Sequence, residues 1–181
     1  SEDPIVIEVY AKQFAWQARY AGADNTLGLG NVNFIDETNN PIGVDMSDAA
    51  SLDDKPVSEL HLPKGKKVLF KFRSQDVLHS AYMPHFRAQM NCVPGMVTQF
   101  AFTPKYTTEE MRQQSEVMDK TRGINKIRSE KGEDLYEFDY VLLCNKICGA
   151  SHYSMQMKIV VEEEEEYNKW LAEQPTFAEK L

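Results

Sequence analysis

An all-β sandwich or barrel is predicted for this chain of 181 residues, and three observations carry the prediction. Short runs rich in Val, Ile, Phe and Tyr recur along the chain, each bounded by Pro, Gly, Asn or Ser. Several of them alternate apolar and polar residues with the period of two that a half-buried strand requires. Helical signals are confined to one charged internal stretch and the C-terminus. Many short strands in series bury their apolar faces against one another as a sandwich or barrel.

The first element is "IVIEVYAKQFAWQARY", residues 5–20, predicted as one extended strand. Tyr10, Phe14, Trp16, Ala18 and Tyr20 share one face, and Ile5, Ile7, Val9 and Ala11 the other. Residues 21–65 are rich in Gly, Asn, Asp and Pro and include the acidic Asp36, Glu37, Asp45, Asp48, Asp53 and Asp54. Turns and connectors are expected there, with short strands at "VNFID" and "PVSELHL". Further strands are expected at "KKVLFKFRS", "AYMPHF" and "MVTQFAF", and a closing pair at "YEFDYVLL" and "QMKIVVE". The strongly charged segment at about 105–138 breaks the strand pattern and reads as a helix or helix pair. Thr107, followed three residues later by Glu110, supplies a capping box at its start. After the last strand, "EEEEEYNKWLAEQPTFAEKL" is expected to form a short helix with Tyr167, Trp170 and Leu171 on one side. A single domain over 1–181 follows, with a β core at 1–104 and 139–161, an insertion at 105–138 and a helical tail at 162–181.

Composition narrows the function. An apolar content of 42% supports a sizeable core, and a net charge of -8 excludes a phosphate-binding surface. No nucleic acid is expected, and a positively charged protein partner fits better. No window reaches the roughly 18 to 20 apolar residues that span a bilayer, and "SEDPIVIEVY" lacks the basic start and cleavage site of a signal peptide. A soluble piece, cut from a larger chain, is expected.

The chemistry concentrates in "CNKICGASHYSM", residues 144–155, which holds two of the three cysteines, a histidine and a methionine. Cys144 and Cys148 alone admit a disulfide, a redox pair or a zinc site. His152 and Met155 at the following steps of four and three change the balance, because zinc sites rarely recruit a thioether whereas copper electron-transfer sites do. The loop lies between two strands, which hold it rigidly, and His79, just after a strand in "DVLHSAYMP", is the donor sought from elsewhere. His61 and His85 are expected at the surface or the core edge. Two thiolates exceed what a single copper needs, so two bridged coppers, with one His on each and Met on one, use every donor. A shared electron then changes each bond little, and the site carries electrons instead of transforming a substrate. Cys92, in "MNCVPG", falls outside this set as a small buried hydrophobe.

"DVLHS", "VPGMVTQFAFTP" and "CNKICGASHYSMQMKIVVE", in that order and after the aromatic-rich "QFAWQARY", resemble the water-exposed domain of subunit II of haem-copper cytochrome c oxidases, which carries the binuclear copper centre called CuA. The resemblance covers most of the chain and implies a Greek-key cupredoxin sandwich. It implies His79, Cys144, Cys148, His152 and Met155 as side-chain ligands and the carbonyl of Lys146 as a weak backbone ligand. It implies a domain on the periplasmic face of a bacterial inner membrane that follows membrane anchors. There it would accept electrons from cytochrome c, or a dedicated cytochrome donor, and pass them to haem in subunit I. Three departures stand out. Lys146 occupies a position where the family usually has a glutamate that helps hold magnesium, so magnesium is doubtful and the ammonium is expected to supply positive charge in its place. Phe14 replaces the tryptophan linked to electron entry, with Trp16 and Asp76 as its expected companions at the docking face. The 105–138 insertion is long where the family's connection is short, and it is either a solvated decoration or a docking surface. The main alternative is a thioredoxin-like copper chaperone, which also uses C-x-x-x-C with a distant histidine, but at the start of a helix.

Overall fold

The computed structural model describes residues 2–180, apart from the side chain of His152. Ten strands form two five-stranded sheets. In chain order these are β1 (Ile5–Lys12), β2 (Ala15–Tyr20), β3 (Lys55–Val57), β4 (Leu60–Pro63), β5 (Val68–Ser74), β6 (His79–Met83), β7 (Ala88–Cys92), β8 (Thr98–Phe102), β9 (Tyr140–Cys144) and β10 (Gln156–Glu162). One sheet has the order β3-β2-β1-β5-β8 and the other β4-β10-β9-β6-β7. Most pairs are antiparallel, but β1 runs parallel to β5 and β10 parallel to β4, so the chain crosses between sheets as the expected Greek-key sandwich does.

The period of two in the sequence explains the core. Along β5, Val68, Phe70, Phe72 and Ser74 are buried while Leu69, Lys71 and Arg73 are only half-buried, and β10 likewise buries Met157, Ile159 and Val161. Ile7, Val9 and Phe70 from one sheet meet Leu60, Leu62, Leu142 and Ile159 from the other. Each such fully buried side chain contributes roughly 1.5–3 kcal/mol relative to exposure.

Residues 5–20 form a hairpin, not one strand. β1 turns at Gln13 and Phe14 into β2, with Ile7 opposite Tyr20, Val9 opposite Ala18 and Ala11 opposite Trp16. Directly opposed residues share a face, so Trp16, Ala18 and Tyr20 join Ile7, Val9 and Ala11 inside, and Tyr10 lies on the other face. "KQF" carries no Gly, Asn or Pro to mark the turn, so in the sequence the alternation runs through it without a break. The outward face is itself covered by residues 22–54. Tyr10 packs there with Ile42, Val44 and Phe177, and the buried Arg19 guanidinium bonds Glu8 at 3.1 Å and Asp54 at 2.7 Å.

Other boundaries also shift. "VNFID" contains a 3-10 turn at Val32–Phe34, whose start is capped by Asn31, so it is not a strand. "PVSELHL" divides into β3 and β4, and "AYMPHF" ends as strand at Met83 because Pro84 opens a 3-10 turn. β7 was not expected, since "AQMNC" alternates with polar residues too weakly to stand out. "YEFDYVLL" is strand only from Tyr140.

The charged segment forms α1 (Thr108–Arg112) and α2 (Ser115–Lys131), and Thr107 and Glu110 make the expected capping box. α2 has no buried residue and stops at Gly132, whose φ of 70° suits glycine. α3 (Glu164–Glu173) is the expected C-terminal helix, and Trp170 stacks on His61 with ring centroids 3.9 Å apart. Among the described residues, no helix is long and apolar enough to cross a membrane.

Candidate metal centre

Three pieces of chain build the site at one end of the sandwich. β9 ends at Cys144, β10 begins at Gln156, and residues 145–155 loop between them. β6 lies beside β9, with Ala81 opposite Cys144, which places His79 at the base of the loop. Backbone bonds fix both ends of the loop. The Cys144 N–H donates to the Met155 carbonyl at 3.3 Å and the Asn145 N–H to the Ser80 carbonyl at 3.0 Å.

The donors converge. Cys144 Sγ lies 3.7 Å from Cys148 Sγ, 3.9 Å from His79 Nδ1 and 3.2 Å from the Lys146 carbonyl oxygen, and Cys148 Sγ lies 3.6 Å from Met155 Sδ. His79, Cys144, Cys148 and Met155 are all buried. Among the described residues, His79, Cys144 and Cys148 are the group of three whose ligand atoms all lie within 4.8 Å of one another. The cysteines are free. Burial and the neighbouring Cys144 thiol push the Cys148 thiol up to about 11, so a soft cation must displace its proton to bind. The His152 side chain lies outside the described residues, and its backbone falls in a 3-10 turn, His152–Ser154, between Cys148 and Met155.

Asp76 orders the histidine. Its Oδ1 accepts from His79 Nε2 at 2.8 Å, which leaves Nδ1 as the nitrogen facing the sulfurs. The Asp76 carboxyl is buried in part, which raises its pKa, but bonds from the Gln13 N–H, His79 and the Val77 N–H more than offset this and hold it below the usual range.

The aromatic pair separates. Phe14 caps the hairpin and is 37% exposed, whereas Trp16 is 6% exposed with its ring centroid 6.3 Å from that of His79. Trp16 therefore packs behind the histidine and not on a docking face. Phe14 instead covers Gly149, where an added Cβ would fall 2.6 Å from the ring. Gln13 was missed from the sequence. Its side-chain amide donates to the Cys148 carbonyl, and only its position beside Phe14 hinted at a role.

The other histidines stay apart. His61 is held between Glu59 and Glu162 at 2.9 and 2.7 Å, and His85 packs edge-on against Phe138. Cys92 is fully buried and pairs across from His79, and burial pushes its thiol up to about 12. The chaperone alternative fails on architecture, because the cysteine pair here ends a strand of a two-sheet sandwich and does not open a helix.

Known proteins agree with this architecture. The sequence model of the family "Cytochrome C oxidase subunit II, periplasmic domain" matches residues 5–128, a stretch that ends before the 144–155 loop. The alternative cytochrome c oxidase subunit 2 of Bradyrhizobium diazoefficiens is 37% identical over 178 residues, which are 97% of this chain and 53% of that protein. Cytochrome c oxidase subunit 2 of Thermostichus vulcanus is 25% identical over 112 residues, 62% of this chain and 25% of that protein. The chain thus spans about half the length of the first relative and a quarter of the second. The crystal structure of the periplasmic domain of subunit II of the cytochrome oxidase of Bradyrhizobium japonicum has the same fold, with a TM-score of 0.55 at 17% identity, over 95% of this chain and 94% of that one. A second solved structure, a mixed disulfide intermediate between a thioredoxin-like protein and subunit II of cytochrome c oxidase, aligns with a TM-score of 0.53 at 18% identity, covering 95% and 91%. On the family match, the chain belongs to the cytochrome c oxidase subunit II family and corresponds to its periplasmic domain.

Proposed function

We propose that this domain is the electron-entry module of a cytochrome c oxidase, receiving electrons from a cytochrome c and delivering them towards haem of subunit I. The observation that carries this reading is the convergence of two cysteine sulfurs, a methionine sulfur and His79 Nδ1, with neighbouring contacts of 3.6 to 3.9 Å, in one buried cluster. The donor set fits copper, since it joins two thiols, a thioether, an imidazole and a carbonyl, with no carboxylate among the contacting atoms. The assigned ligands are His79, Cys144, Cys148, His152, Met155 and the Lys146 carbonyl, for a pair of copper ions. Held by these residues, a copper pair would supply a one-electron carrier.

The chain's own residues do the rest. β6 and β9 hold His79 and Cys144 on neighbouring strands, so little rearrangement is required when the metal changes charge. Burial of the sulfurs keeps water out. Around the loop, Phe14, Val77, Ile147 and Tyr153 are exposed, Ile147 to 83% and Tyr153 to 77%, which forms an apolar rim for a transient partner. The net charge of -8 attracts a basic cytochrome, with Asp36 and Glu37 near the hairpin end and Asp76 beside it. Magnesium is not part of the proposal, because the Lys146 ammonium cannot ligate a cation. A thioredoxin-like reductant of the kind trapped on another subunit II would keep Cys144 and Cys148 reduced until copper enters.

Anaerobic titration of the thiol-reduced protein with Cu(I) and Cu(II) in equal parts, followed by metal analysis and visible absorption, tests this reading. Two coppers per chain and a purple product are expected. A colourless protein that prefers zinc would refute it.

A further inference from the structure

We propose that the tip of the β1–β2 hairpin is a latch on the metal loop, in which Gln13 and Asp76 are positioning residues that hold the two ligand-bearing parts of the chain together. The inference rests on the proposed ligand roles of His79 and Cys148, but its first test needs no metal.

The two parts come from different places. His79 starts β6, Cys148 lies in the loop after β9, and the hairpin belongs to the opposite sheet. The β1–β5 ladder ends at Ala11 and Ser74, with the Gln75 N–H donating to the Ala11 carbonyl at 2.9 Å, and among the described residues no strand ladder joins Gln13 or Phe14 to β6 or to the 145–155 loop. Side chains do so instead. Asp76 uses both carboxylate oxygens. Oδ1 accepts from the Val77 N–H at 2.6 Å and from His79 Nε2 at 2.8 Å, and Oδ2 accepts from the Gln13 N–H at 2.7 Å. Gln13 then extends its side-chain amide to the Cys148 carbonyl, and the Phe14 ring closes over Gly149. His79, Asp76, Gln13 and Cys148 thus form one continuous chain of contacts, which the 3.9 and 3.7 Å approaches of the Cys144 sulfur to His79 and Cys148 close into a ring.

The loop depends on this ring. Among the described residues, the Gln13 amide makes the hydrogen bond that ties residues 146–151 to a part of the chain outside the 144–155 segment, because the remaining bonds of that stretch are local. A carboxylate on the outer nitrogen of a ligating imidazole also fixes its tautomer and raises its donor strength. Asp76 therefore acts on ligand geometry through Gln13 and on ligand chemistry through His79.

Two variants separate these roles. Gln13→Met keeps length and removes the donor. Asp76→Asn keeps size, but its amide group faces either the Gln13 N–H or His79 with a donor where an acceptor is needed. In the metal-free full chain, amide hydrogen exchange over 145–151 is expected to quicken about fivefold to tenfold in both variants while β5 amides keep their rates. In the copper-loaded chain, Asp76→Asn is expected to shift the reduction potential upward, since it removes a negative charge hydrogen-bonded to a ligand, and Gln13→Met, which removes no charge, is expected to shift it less. Loop exchange at the unmodified rate in Gln13→Met, or an acceleration shared equally by β5, overturns the latch. An unshifted potential in Asp76→Asn overturns the role of Asp76 towards His79. Should Asp76→Asn not fold, Gln13→Met, at an exposed position, still decides the latch. Should the unmodified chain take up no copper, the proposed function falls while the exchange measurement stands.

Discussion

His79 Nδ1 and Cys144 Sγ stand 3.9 Å apart although 65 positions separate them in the chain. Strand pairing brings them together, since β6 and β9 are hydrogen-bonded neighbours and each carries its donor at the end nearest the loop. The metal site is therefore a property of the sandwich, with the loop completing it.

Gly149 tests the fit between loop and hairpin. Its φ of 151° is unfavourable for other residues, and a Cβ would meet Phe14 carbons at 2.6 Å. Gly149→Ala is expected to destabilise the protein by about 1–3 kcal/mol and to displace Phe14. Chemical denaturation and the exposure of Phe14 to a hydrophobic probe measure the two effects, and an unchanged midpoint would contradict the contact.

Thiol labelling distinguishes the three cysteines. Cys92 is fully buried and its thiol is pushed up to about 12 by burial, whereas Cys144 and Cys148 lie beneath a surface loop. Cys144 and Cys148 are buried too, and the Cys148 thiol is pushed up to about 11, so a thiol reagent at neutral pH is expected to modify them slowly in the native metal-free protein, through opening of the 145–155 loop, and Cys92 only after unfolding. Peptide mapping after timed labelling checks the order. Early modification of Cys92 would show that its packing is misplaced.

The start of α1 depends on acid. A bond from Lys64, followed by the Thr107 backbone, holds the Glu110 carboxyl below the usual range, and the same partner raises Lys64. A depressed carboxylate stabilises the fold above the usual carboxylate range, and that contribution disappears as pH falls through it. The protection of α1 amides against exchange, relative to the unfolded chain at the same pH, is expected to fall below about pH 4, and Glu110→Gln is expected to abolish that pH dependence. Thr107→Ala, which removes the cap, is expected to cost about 1 kcal/mol at any pH.

Phe14 at the hairpin tip covers the metal loop with a half-exposed ring. If proximity through an apolar patch governs electron entry, Phe14→Trp changes the rate of reduction by a cytochrome c by less than about tenfold, equivalent to about 1.4 kcal/mol. The association rate is expected to fall as salt rises, because long-range attraction to the acidic domain is screened. Stopped-flow reduction at several ionic strengths measures both, and a larger change from the substitution would assign Phe14 a direct electronic role.

Legibility in the sequence followed the strength of each local signal. β5 and β10 alternate cleanly, so both strands and their buried residues were visible. The capping box at Thr107 and the apolar side of α3 were visible for the same reason. The hairpin between β1 and β2 was not, because its turn uses Gln13 and Phe14, neither of them a turn-former, and the face of every later residue in the run depends on that turn. In the site, Cys144, Cys148 and Met155 were readable from spacing, and His79 from its place beside a strand. Gln13 and the second role of Asp76 were not, because each acts by a contact between sheets that no local spacing encodes.

Electron-spin resonance of the copper-loaded, half-reduced domain tests the central claim most directly. A pair of metals bridged by Cys144 and Cys148 predicts hyperfine splitting from one unpaired electron shared equally by two copper nuclei, lost on His79→Ala. Splitting from a single copper nucleus, unaltered by that substitution, would contradict it.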